Sequence, residues 1–532
     1  MRTVRRDIKS CFTLPVSGEL ISNAAHMPSC KRALLSCCLL FAVFSCAASP
    51  SDSDAARIIA ESLKPSPLEA NLRRLTDEIG GRVPGTRAMD QAVEWGVEGF
   101  KAAGADSVQK EDFTLRFSWA EGATQFSATT PVYEGVDSKQ GSMPFAHFSV
   151  RAVSIAWAPA LEAVHHVPII DVGMGTAEDF NKAGNISGKI VLVHSVILKT
   201  WADLFDEYMR APAAIDAAVK GKAKAIAFIS TREHDLLYRH TNSGRGEIDR
   251  IPMVMVARED GERIGRLLAS GHPVWADLAI PNKIGGPITT SNVVAELKGS
   301  ERPDEFVVLG AHLDSWDLGT GALDNGCDAA LVIDALRAIK SAGLTPRRSI
   351  RFILFSGEEQ GMVGSRAYVA AHRGEMDQAA GVVVFDSGTG HVTGFLLGGR
   401  KDVVEAANRL VEPLKQFDAT TLTTDADWGT DHFDFMLEGV PTFVAHNEES
   451  NYLVNYHATS DTFDKVDLGQ LKNQVAEAAV LIYGLANSSE RVGRRLTRAE
   501  IEQTMRETHL DEQLKAAGMW DEWASKKRGR EE

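Results

Sequence analysis

Between residues 286 and 488, short apolar runs recur, most of them separated by segments of helical length. "SNVVAEL", "EFVVLGA", "SIRFILF", "GVVVFD" and "GVPTFVA" are apolar nearly throughout and do not alternate. Strands of that kind belong in a mostly parallel sheet covered by helices on both faces. The pattern predicts a three-layer αβα domain over 286–488, with residues 51–120 as its N-terminal part. That part reads as helix over 56–75, interrupted by Pro65 and Pro67, then as a loop at "GGRVPGT". A helix from Met89 to Ala103 stops at Gly104, and "SVQKEDFTL" follows as a strand. Residues 121–285 have a different texture. "GKIVLVHS", "AKAIAFIS" and "IPMVMVA" are separated by loops and by a helix expected at Ala213–Lys220, which predicts a smaller inserted α/β module. Residues 489–532 read as a helical, charged tail with a disordered end. Trp520 and Trp523 there are placed to dock on the body or on a second subunit.

The first 50 residues stand apart. Lys31 and Arg32 precede a 12-residue apolar run, Ala33–Phe44, broken only by Ser36 and followed by small residues. This is the anatomy of an export signal, and the run is short for a membrane span. Met27 offers an alternative start. Val43-Phe44-Ser45-Cys46 is similar to a lipobox, so the exported chain is expected to be periplasmic, secreted, or lipid-anchored through Cys46 to the outer face of a bacterial membrane.

Charge and cysteine usage narrow the classes further. The formal charge is −15, and leaving out the leader, with its six basic and two acidic residues, makes it −19. A chain this acidic is a poor partner for nucleic acid or anionic membrane surfaces. Five of the six cysteines lie in the leader, so Cys327 has no partner downstream and no internal disulfide is expected there.

The chemistry collects at the strand ends, where open α/β sheets bind ligands. After "EFVVLGA" come His312 and Asp314; after "SIRFILF" come Glu358 and Glu359; after "GVVVF" comes Asp386; a loop after "GVPTFVA" brings Tyr456 and His457. Singly, each is a common cap or surface residue. Together, at the ends of buried strands, they are costly to desolvate without a cation. Two histidines and several carboxylates suit zinc or a similar divalent ion. Asp324, in the glycine-flanked "GALDNG", is placed to bridge a metal pair. Asp314 is placed to accept the second ring N–H of His312. Of the adjacent glutamates, one can bind metal while the other moves a proton. Asp317 has no evident task, and the scattered histidines of 121–285 show no ligand spacing.

"HLDSWDLGTGALDNG", "GEEQGMVGS", "FDSGTG" and "YHATSDTFDKVD" occur in this order, and with them the chain resembles the di-zinc exopeptidases. These include leucine aminopeptidases, glutamate carboxypeptidase II and the carboxypeptidase Q group, towards which "HLDSWD" tilts. The resemblance implies a phosphorylase/hydrolase-like αβα fold with a protease-associated domain at 121–285. It further implies two Zn²⁺ ions, one held by His312 and Asp386 and the other by Glu359 and His457, with Asp324 between them. Glu358 is then the general base and acid, and Tyr456 matches a tyrosine that polarises the scissile carbonyl in some relatives. Asn325 departs from the second Asp that many relatives have there.

The expected activity is hydrolysis of short peptides or dipeptides with free N-termini by an exported enzyme, which the resemblance pictures as a homodimer. A broad aminopeptidase is the alternative; a glutaminyl cyclase or a non-catalytic relative fits less well. "WGTDHFDF" is expected to line the pocket, with His432 not a ligand.

Overall fold

Eight strands form the larger sheet in the order Ser107–Leu115, Ile288–Leu297, Arg348–Phe355, Arg302–His312, Ala379–Val384, Thr442–Asn447, Val392–Leu396, Thr421–Thr423. The four central strands, from Arg348–Phe355 to Thr442–Asn447, are mutually parallel, and antiparallel strands flank them on both sides. The computed structural model describes residues 53–132 and 145–532; the expected export leader and Cys46 lie outside them.

The non-alternating strands are explained by burial on both faces. Val307, Leu309 and Ala311 pack into one core with the helices Cys327–Ser341 and Leu468–Asn487. Their neighbours Phe306 and Val308 point to the other side, where they meet Tyr368, Val369 and Phe435 from the helices Val363–Ala371 and His432–Leu437. This is the three-layer αβα arrangement that the apolar runs predict.

The chain leaves the larger sheet after Ser107–Leu115 and returns to it at Ile288–Leu297, the strand beside it. In between, Phe145–Ser149, Gln125–Pro131, Trp275–Ile280, Leu161–Asp171, Ile190–Val193, Ala225–Ile229, Met253–Val256 and Ala152–Ser154 form a second sheet in that order. The chain entering this region and the chain leaving it are tied together where Trp119–Ala120 pairs with Lys283–Ile284. The helix expected at 213–220 begins earlier and runs Trp201–Lys220 through Pro212. Thr200 and Asp203 form a reciprocal cap at its start, which stabilises the extra turns despite the proline. Those added turns carry Glu207 and Tyr208.

At the C-terminus, the expected disordered end is ordered instead. After the helices Arg498–Glu507, Leu510–Ala516 and Trp520–Ala524, the chain tucks Arg528 into the body. There its guanidinium makes two 2.7 Å hydrogen bonds to Asp434, a buried fork that a charge count alone does not reveal. Trp523 is buried under the Arg498 guanidinium, 3.6 Å from the ring centroid. Among the described residues no helix is long and apolar enough to cross a membrane.

Candidate metal centre

The parallel strands of the larger sheet end at one edge, and that edge collects the ligand-type side chains. His312 is the last residue of Arg302–His312; Glu358 and Glu359 follow Arg348–Phe355 by a short turn; Asp386 lies just beyond Ala379–Val384. His457 arrives on the loop after Thr442–Asn447.

These residues fall into two adjoining groups: His312, Glu358 and Asp386, and Asp324, Glu359 and His457. Within each group the donor atoms lie no more than 4.8 Å apart. The Nε2 of His312 faces Asp324 Oδ1 and Asp386 Oδ1, each at 3.1 Å. The Nε2 of His457 faces Asp324 Oδ2 at 3.2 Å and Glu359 Oε2 at 2.9 Å. Asp324 therefore presents one oxygen to each group, the position of a bridging carboxylate.

Donor chemistry tests whether a cation fits. The Nδ1 of His312 lies 3.0 Å from the Asp314 carbonyl, so the proton belongs on Nδ1 and the Nε2 lone pair points at two carboxylate oxygens. That arrangement is repulsive unless a positive charge lies between them. Glu359 Oε1 is buried with no hydrogen-bond partner. The titration behaviour agrees. Burial pushes the Glu359 carboxyl up to about 7, with Asp324 adding to the shift and His457 opposing it. Burial opposes charge on His457, yet Glu359 and Asp324 still raise it to about 9. His312 is raised well above its usual value, the surrounding carboxylates outweighing burial. The two groups hold more buried acids than imidazoles, a charge imbalance that a bound cation offsets.

Asp314 meets His312 differently from the expectation. Its backbone carbonyl takes the ring N–H, while its carboxylate stands 3.6 Å from Nδ1 and accepts the N–H groups of Glu358 (3.1 Å) and Glu359 (3.3 Å). The carboxylate thus orients the glutamate turn. Glu358 is raised well above the usual carboxyl range, first by burial and then by Asp386, Asp431 and Glu359, against His312. The ring of Tyr456 stacks on His457 with centroids 3.6 Å apart. His432 lies outside both groups and meets the Asp427 carbonyl at 3.0 Å. Asp317 pairs with Arg239 of the second-sheet region, which gives it a structural task.

Two residues that hold Asp324 in place escaped the sequence reading. Asp461 accepts the N–H groups of Ala322 (3.0 Å), Leu323 (2.7 Å) and Asp324 (3.2 Å). Arg82, fully buried, donates to the carbonyls of Leu313, Thr320 and Gly321 at 2.6–2.8 Å. Gly321 has φ +61°, and a side chain there would meet Ser315 Cβ at 2.3 Å, so this turn requires glycine. The peptide between Asp324 and Asn325 is cis, and the Asn325 amide donates to the Phe385 carbonyl at 3.1 Å. Asp461 sits inside the quoted "YHATSDT", whereas Arg82 lies in a loop with no periodic signal.

Residues 292–482 match the description of peptidase family M28. Over that segment the chain is similar to the family M28 peptidases. Carboxypeptidase Q of Mus musculus is 26% identical over 427 residues, covering 79% of this chain and 86% of that protein. The crystal structure of a peptidase M28 precursor from Shewanella amazonensis SB2B shares the fold, with a TM-score of 0.73 and 24% identity. It covers 84% of this chain and all of that one, so the likeness extends well beyond the M28 segment. BSAP, a zinc aminopeptidase from Bacillus subtilis, has the same fold at a TM-score of 0.60 and 20% identity, covering 81% of this chain and 97% of its own.

Proposed function

We propose that the chain is a zinc-dependent exopeptidase that hydrolyses short peptides with free N-termini, dipeptides among them. The observation that carries this reading is the Asp324 carboxylate, one oxygen turned to His312 and the other to His457. His312, Asp386 and Asp324 are the residues to hold one zinc, and Asp324, Glu359 and His457 those to hold a second. Zinc bound there supplies Lewis acidity, polarising the peptide carbonyl and making water easier to deprotonate.

The remaining chemistry belongs to the chain. Glu358, kept receptive to protons by burial, takes one from the attacking water and returns it to the leaving amine. Asp314 holds the backbone from which Glu358 projects. Tyr456, packed on His457, donates its hydroxyl proton towards the oxyanion. Likeness to carboxypeptidase Q over most of both chains supports an exopeptidase. A broad aminopeptidase is the alternative, and free dipeptides assayed against aminoacyl-nitroanilides separate the two. A protease-associated character for residues 121–285, export, a lipid anchor at Cys46 and a homodimer belong to the same proposal. The leader's apolar run supports export.

Glu358→Gln tests the mechanism. The variant is expected to keep its zinc while kcat falls about 10²–10⁴-fold, the usual contribution of a general acid–base group. Near-wild-type turnover at full zinc content would remove Glu358 from the reaction.

A further inference from the structure

The loop that brings Tyr456 and His457 to the metal centre is held from outside the larger sheet. Residues 232–240, in the second-sheet region, run alongside it. The N–H of Arg239 donates to the His457 carbonyl at 3.1 Å, and the N–H of Thr459 donates to the Leu237 carbonyl at 2.9 Å. Tyr238 and Ala458 form an antiparallel bridge between these contacts. His457 itself sits at φ +59°, in the left-handed region that side chains adopt uncommonly.

Two side chains reach further, to Tyr456. Arg232 is 2% exposed, and its Nη2 donates to the Tyr456 carbonyl at 2.9 Å. Its guanidinium lies over the Tyr238 ring, 3.9 Å from the centroid, and Glu207 Oε2 is 3.4 Å from Nη1. Glu207 also accepts from Thr231 and Tyr238, so the guanidinium has few alternative places to go. The next residue on that helix, Tyr208, puts its hydroxyl 3.1 Å from the Tyr456 hydroxyl.

We propose that Tyr208 and Arg232 are positioning residues for Tyr456, Arg232 fixing its backbone and Tyr208 orienting its hydroxyl. This rests on the reading of Tyr456 as the oxyanion donor. A phenol has one proton to give and lone pairs to accept with. When Tyr208 donates to the Tyr456 oxygen, the Tyr456 proton is left pointing elsewhere. The accepted hydrogen bond also polarises Tyr456 and makes it a stronger donor. A rotating hydroxyl is thereby fixed in advance of the reaction, where orientation affects rate more than affinity. On this view the second-sheet region completes the site on the larger sheet.

A double-mutant cycle with Tyr208→Phe and Tyr456→Phe tests this, measuring kcat, KM and zinc content on a dipeptide substrate. Tyr208→Phe alone is expected to lower kcat about tenfold, the worth of one oriented hydrogen bond, with KM within about twofold and zinc unchanged. In the Tyr456→Phe background the same change is expected to cost nothing further. Losses that multiply in the double variant would show that Tyr208 does not act through Tyr456 and would overturn the proposal. So would a wild-type kcat in Tyr208→Phe beside a large loss in Tyr456→Phe. If Tyr456→Phe alone is as fast as wild type, the oxyanion role falls and this inference with it, while zinc-dependent hydrolysis stands. For Arg232, hydrogen exchange over 455–459 is expected to quicken in both Arg232→Met and Arg232→Lys, less in the lysine variant. Unchanged exchange in both would overturn its role.

Discussion

The two sheets share a device and use it differently. Each has four adjacent parallel strands whose ends open onto one edge. In the larger sheet those ends carry His312, the Glu358–Glu359 pair and Asp386, and both metal-type groups found among the described residues lie there. In the second sheet the corresponding ends carry Asp171, His194 and Thr231. Asp171 and His194 meet at 2.9 Å and Glu262 lies 3.9 Å from the other ring nitrogen, but among the described residues these form no metal-type group. A parallel sheet edge thus provides a place for chemistry, while a site needs several ligands from separate strand ends and a loop to bridge them. The second sheet contributes structure instead, through Arg232, Arg239 and Tyr208.

Removing what the second sheet lacks tests that contrast most strongly. Asp461→Ala leaves three buried N–H groups of the 322–324 turn without their acceptor. Zinc affinity is expected to fall about 10–100-fold, the usual cost of losing a group that orients a ligand, as read by chelator competition. Asp461→Asn, which keeps an acceptor oxygen, should fall less. Equal affinity in all three proteins would mean that the turn holds Asp324 unaided.

The smallest effect is expected on the second sheet. His194→Ala should leave kcat/KM within about twofold of wild type and cost under about 1 kcal/mol of stability, as a half-buried pair does. The hydrogen bond to Asp171 raises the His194 pKa against burial. A group raised on folding contributes fully below its unfolded pKa and loses that contribution as pH rises through the folded value. The stability gap between wild type and His194→Ala should therefore be widest near about pH 5, below the ordinary histidine value, and close above neutrality. A large loss of activity would mean that this edge does more than hold the fold.

What was legible in the sequence follows from periodicity. Doubly buried strands are apolar throughout, so their ends, and the His, Glu and Asp placed there, could be found by reading to the end of each run. Other contributions have no period. Arg82 works by donating to three carbonyls more than 200 residues downstream. Asp314 was read as a ring partner because it lies two residues from His312, but the turn places its carboxylate nearer the Glu358 and Glu359 amides. Tyr208 and Arg232 lie more than 220 residues from Tyr456, on a segment whose own strand ends show no ligand pattern. The buried Arg528–Asp434 fork was hidden by the charged composition around it.

The zinc content of the purified chain, read by plasma mass spectrometry beside Asp324→Ala, tests the bridging arrangement most directly. With Asp324 between His312 and His457, wild type is expected to hold about two zinc ions per chain, and Asp324→Ala about one or fewer. One zinc per chain in wild type, or two retained in Asp324→Ala, would contradict a carboxylate-bridged pair.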